Sequence, residues 1–371
     1  MRPRNKLIDL GSLTWAAGAV QNVHLGALPK KHKVRSIELQ VNLGGSCNAA
    51  DAFDQRVFPL SLGQLSLSDL VLPVTGWQLA ALLHKIEGRL IPSTGDIAAG
   101  GSTFVINYKL KVPFSDNRRQ APAHPDETAI PSELLAPHDL IIQWAAANVF
   151  NAVVGIDDAT IIAGSMRVYA DVVECREGDD AVVGEIRQIK TMGGSQDVTL
   201  ESGAYVDILA SARDAFALTT TVDIATAQVT VEGYPVMPPM PNPALRMLWD
   251  DLHGIDRLGP DATGSYWLPI VTPEKDGRSI RNPIVRGNGG RLITTGATTT
   301  PQFVAWVSKL KSAGDVLQVA DRMGLSGVGA YEPAASGLND VEAAILPAKL
   351  PGTGKPVARS LAGAPRPHSR D

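Results

Sequence analysis

A few groups of residues in this chain have types and spacings that could do chemistry. Asp250 and His253 stand three apart in Trp249-Asp250-Asp251-Leu252-His253. On a helix they would share a face, as two ligands of a metal do. Asp256 and Asp261 follow without a third ligand at matched spacing, so a solvated helix face is the simpler reading. Asp157-Asp158 and Asp179-Asp180 are carboxylate pairs beside turn-forming residues. Glycoside hydrolysis needs two carboxylates facing each other across a cleft. Neighbours on a strand point to opposite sides, so neither pair can do this alone. His24, His32, His84, His124, His138, His253 and His368 are scattered, no two at ligand spacing. Cys47 and Cys175 form no CxxC pair and read as packed thiols. Gly287-Asn288-Gly289-Gly290 precedes a strand pattern, which makes it a tight turn and not a phosphate cradle. P-loop, HExxH, GxSxG and helix-opening GxGxxG patterns are absent from the sequence. No catalytic residue, cofactor or metal is expected, and the weight shifts towards a structural protein.

The elements that would position any such residues are mostly strands. The chain has 371 residues, 44% of them apolar and 19% charged, which supplies a large core and excludes wholesale disorder. The length suits two domains. Gly (35) and Pro (26) are frequent enough to predict many turns and few long helices. A net charge of −4 makes the body a poor coat for nucleic acid, and no sequence-specific nucleic-acid partner is expected. No stretch is long and apolar enough to span a membrane as a helix, and no secretory leader is expected.

Period-two alternation begins at Val34, with Ile37, Leu39, Val41 and Leu43 on one face. Val57 to Leu62 and Leu65 to Leu72 are short apolar runs. Trp77 to Ile86 is helical in composition but strand-like in length. Ser102 to Phe114 is the clearest strand, with Ile106, Tyr108, Leu110 and Val112 opposing Asn107, Lys109 and Lys111. A polar, Pro-rich loop runs from Ser115 to Pro131. Strands are expected at Asp139–Trp144 and Ile161–Cys175, the latter with Met166, Val168, Ala170 and Val172 on one face. Further strands are expected at Val198–Leu209, Leu218–Val231, Tyr266–Val271, Ile280–Val285, Arg291–Thr295 and Gln302–Lys311. Pro235, Pro238, Pro239, Pro241 and Pro243 should bar sheet or helix interior. Asn242 then caps a helix running to Gly254, and Asp315 to Met323 is a further short helix.

This organisation divides the chain into a basic N-terminal arm over 1–33, two strand-rich halves over 34–178 and 179–311, and an extension over 312–371 with a flexible basic tail. Arg2, Arg4, Lys6, Lys30, Lys31 and Lys33 make the arm a candidate for contact with an acidic partner or a lipid surface.

The run Gly101-Ser-Thr-Phe-Val-Ile-Asn-Tyr-Lys-Leu-Lys-Val-Pro-Phe-Ser115 resembles the long strand and exit turn of the first jelly roll in tectivirus-type major capsid proteins. Asp139 to Asn148, with Phe150 to Gly155, resembles the next strand and its exit, and Ser165 to Glu174 the strand that closes that barrel. Tyr266 to Arg281 and Arg291 to Trp306 are similar to closing strands of a second barrel. The resemblance implies the double jelly-roll capsid family of the tectivirus–adenovirus lineage. The implied fold is mostly β, with two side-by-side antiparallel eight-stranded jelly rolls, short helices and flexible arms. It implies a homotrimeric, pseudo-hexagonal capsomer of an icosahedral bacteriophage shell. The implied partners are neighbouring capsomers, penton and minor capsid proteins, and an internal lipid membrane. Assembly would take place in the host cytoplasm. No catalytic residues carry over. The alternatives are a minor capsid, spike or other β-rich phage protein, or a glycan-processing hydrolase on a jelly-roll scaffold.

Overall fold

The computed structural model describes residues 5–48, 55–87, 91–95, 101, 103–115, 129–152, 156, 158–175, 185–193, 195–201, 203–211, 224–241, 243–244, 265–268, 272–273, 280–281, 284–285, 289–296 and 302–310. The first half contains β1 (Asn5–Thr14), β2 (Val20–His24), β3 (His32–Ser46), β4 (Leu62–Leu67) and β5 (Val71–Val74). Helix α1 (Gly76–Glu87) is followed by β6 (Ser93–Thr94), β7 (Phe104–Pro113) and β8 (Ile130–Pro131). A single-turn helix α2 (Ser132–Leu135), β9 (Asp139–Trp144) and β10 (Thr160–Glu174) complete it. The second half contains β11 (Glu185–Gly193), β12 (Asp197–Leu200), β13 (Gly203–Ser211), β14 (Thr226–Val231), β15 (Tyr234–Pro241) and β16 (Ser265–Leu268). Short β17 (Thr272–Pro273), β18 (Ile280–Arg281) and β19 (Ile284–Val285) precede β20 (Gly290–Thr295) and β21 (Gln302–Leu310).

Strand order identifies the architecture. In the first half, one sheet runs β1-β10-β3-β7-β6 and the facing strands run β5-β4-β9-β2. Counting only the main strands, from β1 to β10 without β6 and β8, the orders are first-eighth-third-sixth and second-seventh-fourth-fifth. In the second half, β11-β21-β13-β16 and β12-β20-β14-β15 repeat both orders. These interleaved orders are those of a jelly roll, in which the strands alternate between two packed sheets. The chain is therefore two jelly rolls. They are joined edge to edge: β5 and β11 pair in parallel at Val71 and Ile189, fusing one sheet from each half into a nine-stranded sheet.

The alternation read from the sequence sets the core. Ile106, Leu110 and Val112 on β7 are fully buried, and so are Met166, Val168, Ala170 and Val172 on β10. A second cluster in the other half gathers Leu200, Ala227, Val229, Leu292, Phe303 and Ala305. Ile189 and Val304 belong to the first half's core although they sit on second-half strands.

Several expectations change. Residues 1–33 do not form an arm from Asn5 onward: β1 pairs with β10 along Asn5–Thr14, and β2 pairs with β9. Ile8, Leu10 and Leu13 pack on the core. The alternation was hidden by a bulge between Asp9 and Gly11, where Gly11 takes φ +123 and its N–H donates to Asp9 Oδ1 at 2.9 Å. Trp77 to Ile86 is helix. Thr75 and Gln78 cap it reciprocally, Gln78 N–H to Thr75 Oγ1 at 3.1 Å and Thr75 N–H to Gln78 Oε1 at 3.0 Å. The apolar run from Val57 falls in a 3-10 helix, Gln55–Ser61. Val198–Leu209 splits into β12 and β13, which enter different sheets. Pro235, Pro238, Pro239 and Pro241 do not bar a sheet, because β15 is an edge strand whose register with β14 shifts around them. The helix expected after Asn242 lies outside the described residues beyond Ala244. So do the loop over 116–128, the division at 178–179, the segment 312–371 and the helix expected at Asp315.

Candidate functional site

Of the six basic residues singled out in the sequence, Arg2 and Arg4 lie outside the described residues. The fold gathers the other four at one end of the first barrel, around the close of β10. Lys6 lies opposite Val172, Lys33 lies opposite Val173, and the Cys175 N–H donates to Lys31 C=O at 3.0 Å. They do not share a face. Val172 and Val173 are adjacent on one strand, so their partners Lys6 and Lys33 point to opposite sides.

The turn carrying Lys30 and Lys31 is pinned by α2. Lys31 takes a left-handed φ of 59, and its N–H donates to Glu133 Oε1 at 2.6 Å. The Ser132 hydroxyl lies 2.5 Å from Pro29 O and 3.0 Å from His32 O. His32 Nδ1 is 2.8 Å from Lys30 O. A carbonyl can only accept, so Nδ1 carries a proton. Carboxylates interleave with these cations. Lys6 Nζ is 4.0 Å from Glu174, and His24 Nδ1 is 2.7 Å from Asp139 Oδ1. Asn22 also donates to Asp139, at 2.9 Å. The hydrogen bonds from His24 and then Asn22 hold the Asp139 carboxyl below the usual carboxylate range. This end of the barrel is a mixed-charge rim, with Lys30 and Lys31 exposed at its tip.

Both outward faces of the first barrel carry exposed apolar side chains, Leu7, Val105 and Ile162 on the β1-β10-β3-β7 sheet among its ion pairs. On the β1-β10-β3-β7 sheet, Asp9, Tyr169, Glu38 and Lys111 form one cross-strand row, and Ser12, Arg167, Gln40 and Lys109 the next. Arg167 pairs with Asp9 at 3.0 Å and lies 5.8 Å over the Tyr169 ring, while Lys109 pairs with Glu38. On the β2-β9-β4 face, Val20 and Ile141 are 64% and 42% exposed. Beside them is an open depression of about 460 Å³ lined by Gly18, Gln64, Pro73, Thr75, Gln143 and Ala146, none charged.

The residues considered for chemistry stay apart or lie elsewhere. Asp158 is exposed at φ 55; Cys47 is buried and Cys175 half-buried, and no disulfide joins them. Asp157, Asp179, Asp180, Asp250 and His253 lie outside the described residues. Among the described residues no three His, Cys, Asp or Glu side chains gather as metal ligands. The uncharged depression was not anticipated. It forms only when the β4–β5 hairpin pairs with β9, many residues further along the chain.

No family model matches the chain, and no curated protein matches it in sequence. Solved structures do. The major capsid protein of Sulfolobus Turreted Icosahedral Virus is 12% identical with a TM-score of 0.60, covering 85% of this chain and 99% of that one. The major capsid protein of bacteriophage PM2 is 10% identical with a TM-score of 0.50, covering 84% and 99%. The PBCV-1 virus capsid structure is 11% identical with a TM-score of 0.51, covering 84% and 98%. With both strand orders complete and these likenesses spanning nearly the whole of the matched chains, this protein has the double jelly-roll fold of viral major capsid proteins.

Proposed function

We propose that this chain is the major capsid protein of an icosahedral virus, a structural subunit and not a catalyst. The observation that carries the reading is the repeated jelly-roll strand order, fused through β5 and β11 into one block. Fold alone admits other functions. The near-complete coverage of capsid subunits supports this one. Two barrels in one subunit give three copies six barrels, so a homotrimer yields a pseudo-hexagonal capsomer able to tile a shell beside neighbouring capsomers, penton and minor proteins. Assembly would take place in the host cytoplasm, a reducing compartment compatible with Cys47 and Cys175 standing outside any disulfide. Light scattering on the purified full chain tests the subunit reading. Three protomers per particle is the expected mass, and a monomer at every concentration contradicts it.

The exposed tip at Lys30 and Lys31 supports contact with an anionic lipid layer beneath the shell, and the sequence adds Arg2, Arg4, Lys6 and Lys33 as further candidate cations. Each cation near such a surface contributes about 1 kcal/mol. Lys30→Gln with Lys31→Gln should weaken co-sedimentation with anionic vesicles and leave neutral vesicles unaffected. Equal binding to both vesicle types contradicts the lipid contact.

A further inference from the structure

The two barrels share one strand order, and the seam inside the chain joins the fifth main strand of the first barrel to the first main strand of the second: β5 to β11, in parallel. The counterparts of these two strands are β15, fifth in the second barrel, and β1, first in the first. Both stand on free edges. β1 ends the order β1-β10-β3-β7-β6, and β15 ends the order β12-β20-β14-β15. One side of the chain therefore carries the kind of edge that β11 brings to the seam, and another side the kind that β5 brings. They are the two halves of a contact that the chain already makes with itself.

The chemistry of the seam fits both counterparts. Ile189 N–H, Thr191 Oγ1 and Gln188 Nε2, all on β11, donate to the carbonyls of Leu70, Pro73 and Asp69. In these bonds the first strand gives and the fifth strand, with its turn, accepts. β15 suits the accepting part. Pro235, Pro238, Pro239 and Pro241 have no N–H and keep their carbonyls. They deny a ladder to a strand that needs donors from β15 and admit one that brings its own. β1 has no proline, and Ser12 and Thr14 hold hydroxyls on exposed positions. At the seam Val71 and Ile189 are buried, whereas on the counterpart edges Leu7 and Tyr234 are 52% and 77% exposed. A matching contact would cover that apolar surface. Strand direction agrees as well. Consecutive main strands of a jelly roll run opposite ways, so the first and fifth strands of a barrel run together. With the seam parallel, β1, β5, β11 and β15 all point one way. A copy rotated about an axis along the strands brings its β1 to β15 in the same parallel sense.

We propose that the free edge of β15 packs against the free edge of β1 of a second copy of this chain, repeating the β5–β11 seam between chains. The seam also sets the register. Val71 pairs with Leu67 where the β4–β5 hairpin begins, and Tyr234 holds that place in the β14–β15 hairpin, paired with Val231. Ile189, opposite Val71, is the fifth residue of β11, and the fifth residue of β1 is Asp9. Tyr234 of one copy thus meets β1 of the next near Asp9. The contact is head-to-tail, and such a contact closes into a ring when its rotation allows. The proposal rests on the capsomer reading and names the surfaces that hold the capsomer together.

The test uses the full-length chain. Ser12 and Pro238 are exposed and lie a few residues beyond Asp9 and Tyr234, so this register sets them near each other. Ser12→Lys with Pro238→Lys places like charges at the contact. In sedimentation equilibrium it is expected to raise the dissociation constant of the oligomer about 10-fold. Ser12→Lys with Pro238→Glu should keep the wild-type value. Both chains should melt as the wild type does, since the changes are on the surface. In a Cys175→Ser background, chains carrying both Ser12→Cys and Pro238→Cys should link on oxidation into a three-chain band on a non-reducing gel. Chains with one of the two changes should not link. This second readout decides the matter should the Ser12→Lys, Pro238→Lys chain unfold. An oligomer unchanged by that pair, with no linked chains, overturns the edge contact and leaves the capsid reading standing. A wild-type chain that stays monomeric overturns both.

Discussion

The hydroxyl of Tyr108 is buried in the first core, 2.7 Å from Ser61 Oγ, which itself donates to Phe58 O at 2.8 Å. Ser61 has one proton and gives it to the carbonyl, so Tyr108 must donate to Ser61. Burial drives the phenol's pKa well above its usual range and keeps it protonated, as this bond requires. Ser61→Ala leaves that donor buried without its acceptor and should cost about 1–3 kcal/mol. Tyr108→Phe removes the donor cleanly and should cost less, about 1 kcal/mol. Urea denaturation of the two variants measures the order. Asp139 gives a pH signature at the same scale. Its carboxyl titrates below its ordinary value of 3.8 in the fold, through His24 and Asn22. That contribution to stability is present above the unfolded value and lost as pH falls through the folded one. Melting temperature should therefore drop on the acid side of about pH 4 in the wild type, and less steeply in Asp139→Asn.

At the scale of elements, the seam between β5 and β11 matters most. Beyond the single register pair, Ile189 N–H donates to Leu70 O at 2.9 Å and Thr191 Oγ1 donates to Pro73 O at 2.9 Å. Ile189 is 1% exposed and completes the core of the half it does not belong to. Ile189→Ala should destabilise the chain by about 2–5 kcal/mol. Unfolding followed by near-UV signals should then lose both barrels together. Two separate transitions, with only the second half affected, would show that the seam does not couple them. Elements with clean alternation were legible from sequence: β7, β9 and β10 stand where period two placed them. β1 was not legible, because a bulge at Gly11 shifts the apolar phase within one strand. β15 was hidden by its prolines, which only an edge position accommodates. The sites were less legible than the strands. Lys6, Lys30, Lys31 and Lys33 do converge on one end, but only pairing with β10 shows that Lys6 and Lys33 point to opposite sides.

At the scale of the whole molecule, the fusion of the two barrels removes two sheet edges, β5 and β11. One edge from each barrel is spent on the partner barrel, and β15 protects another with proline. Electron microscopy of the purified full-length chain tests this account most directly. The expected image is a threefold particle with a hexagonal outline, six barrels arranged in three fused pairs. A field of single two-lobed particles at every concentration, with no threefold assembly, would contradict it.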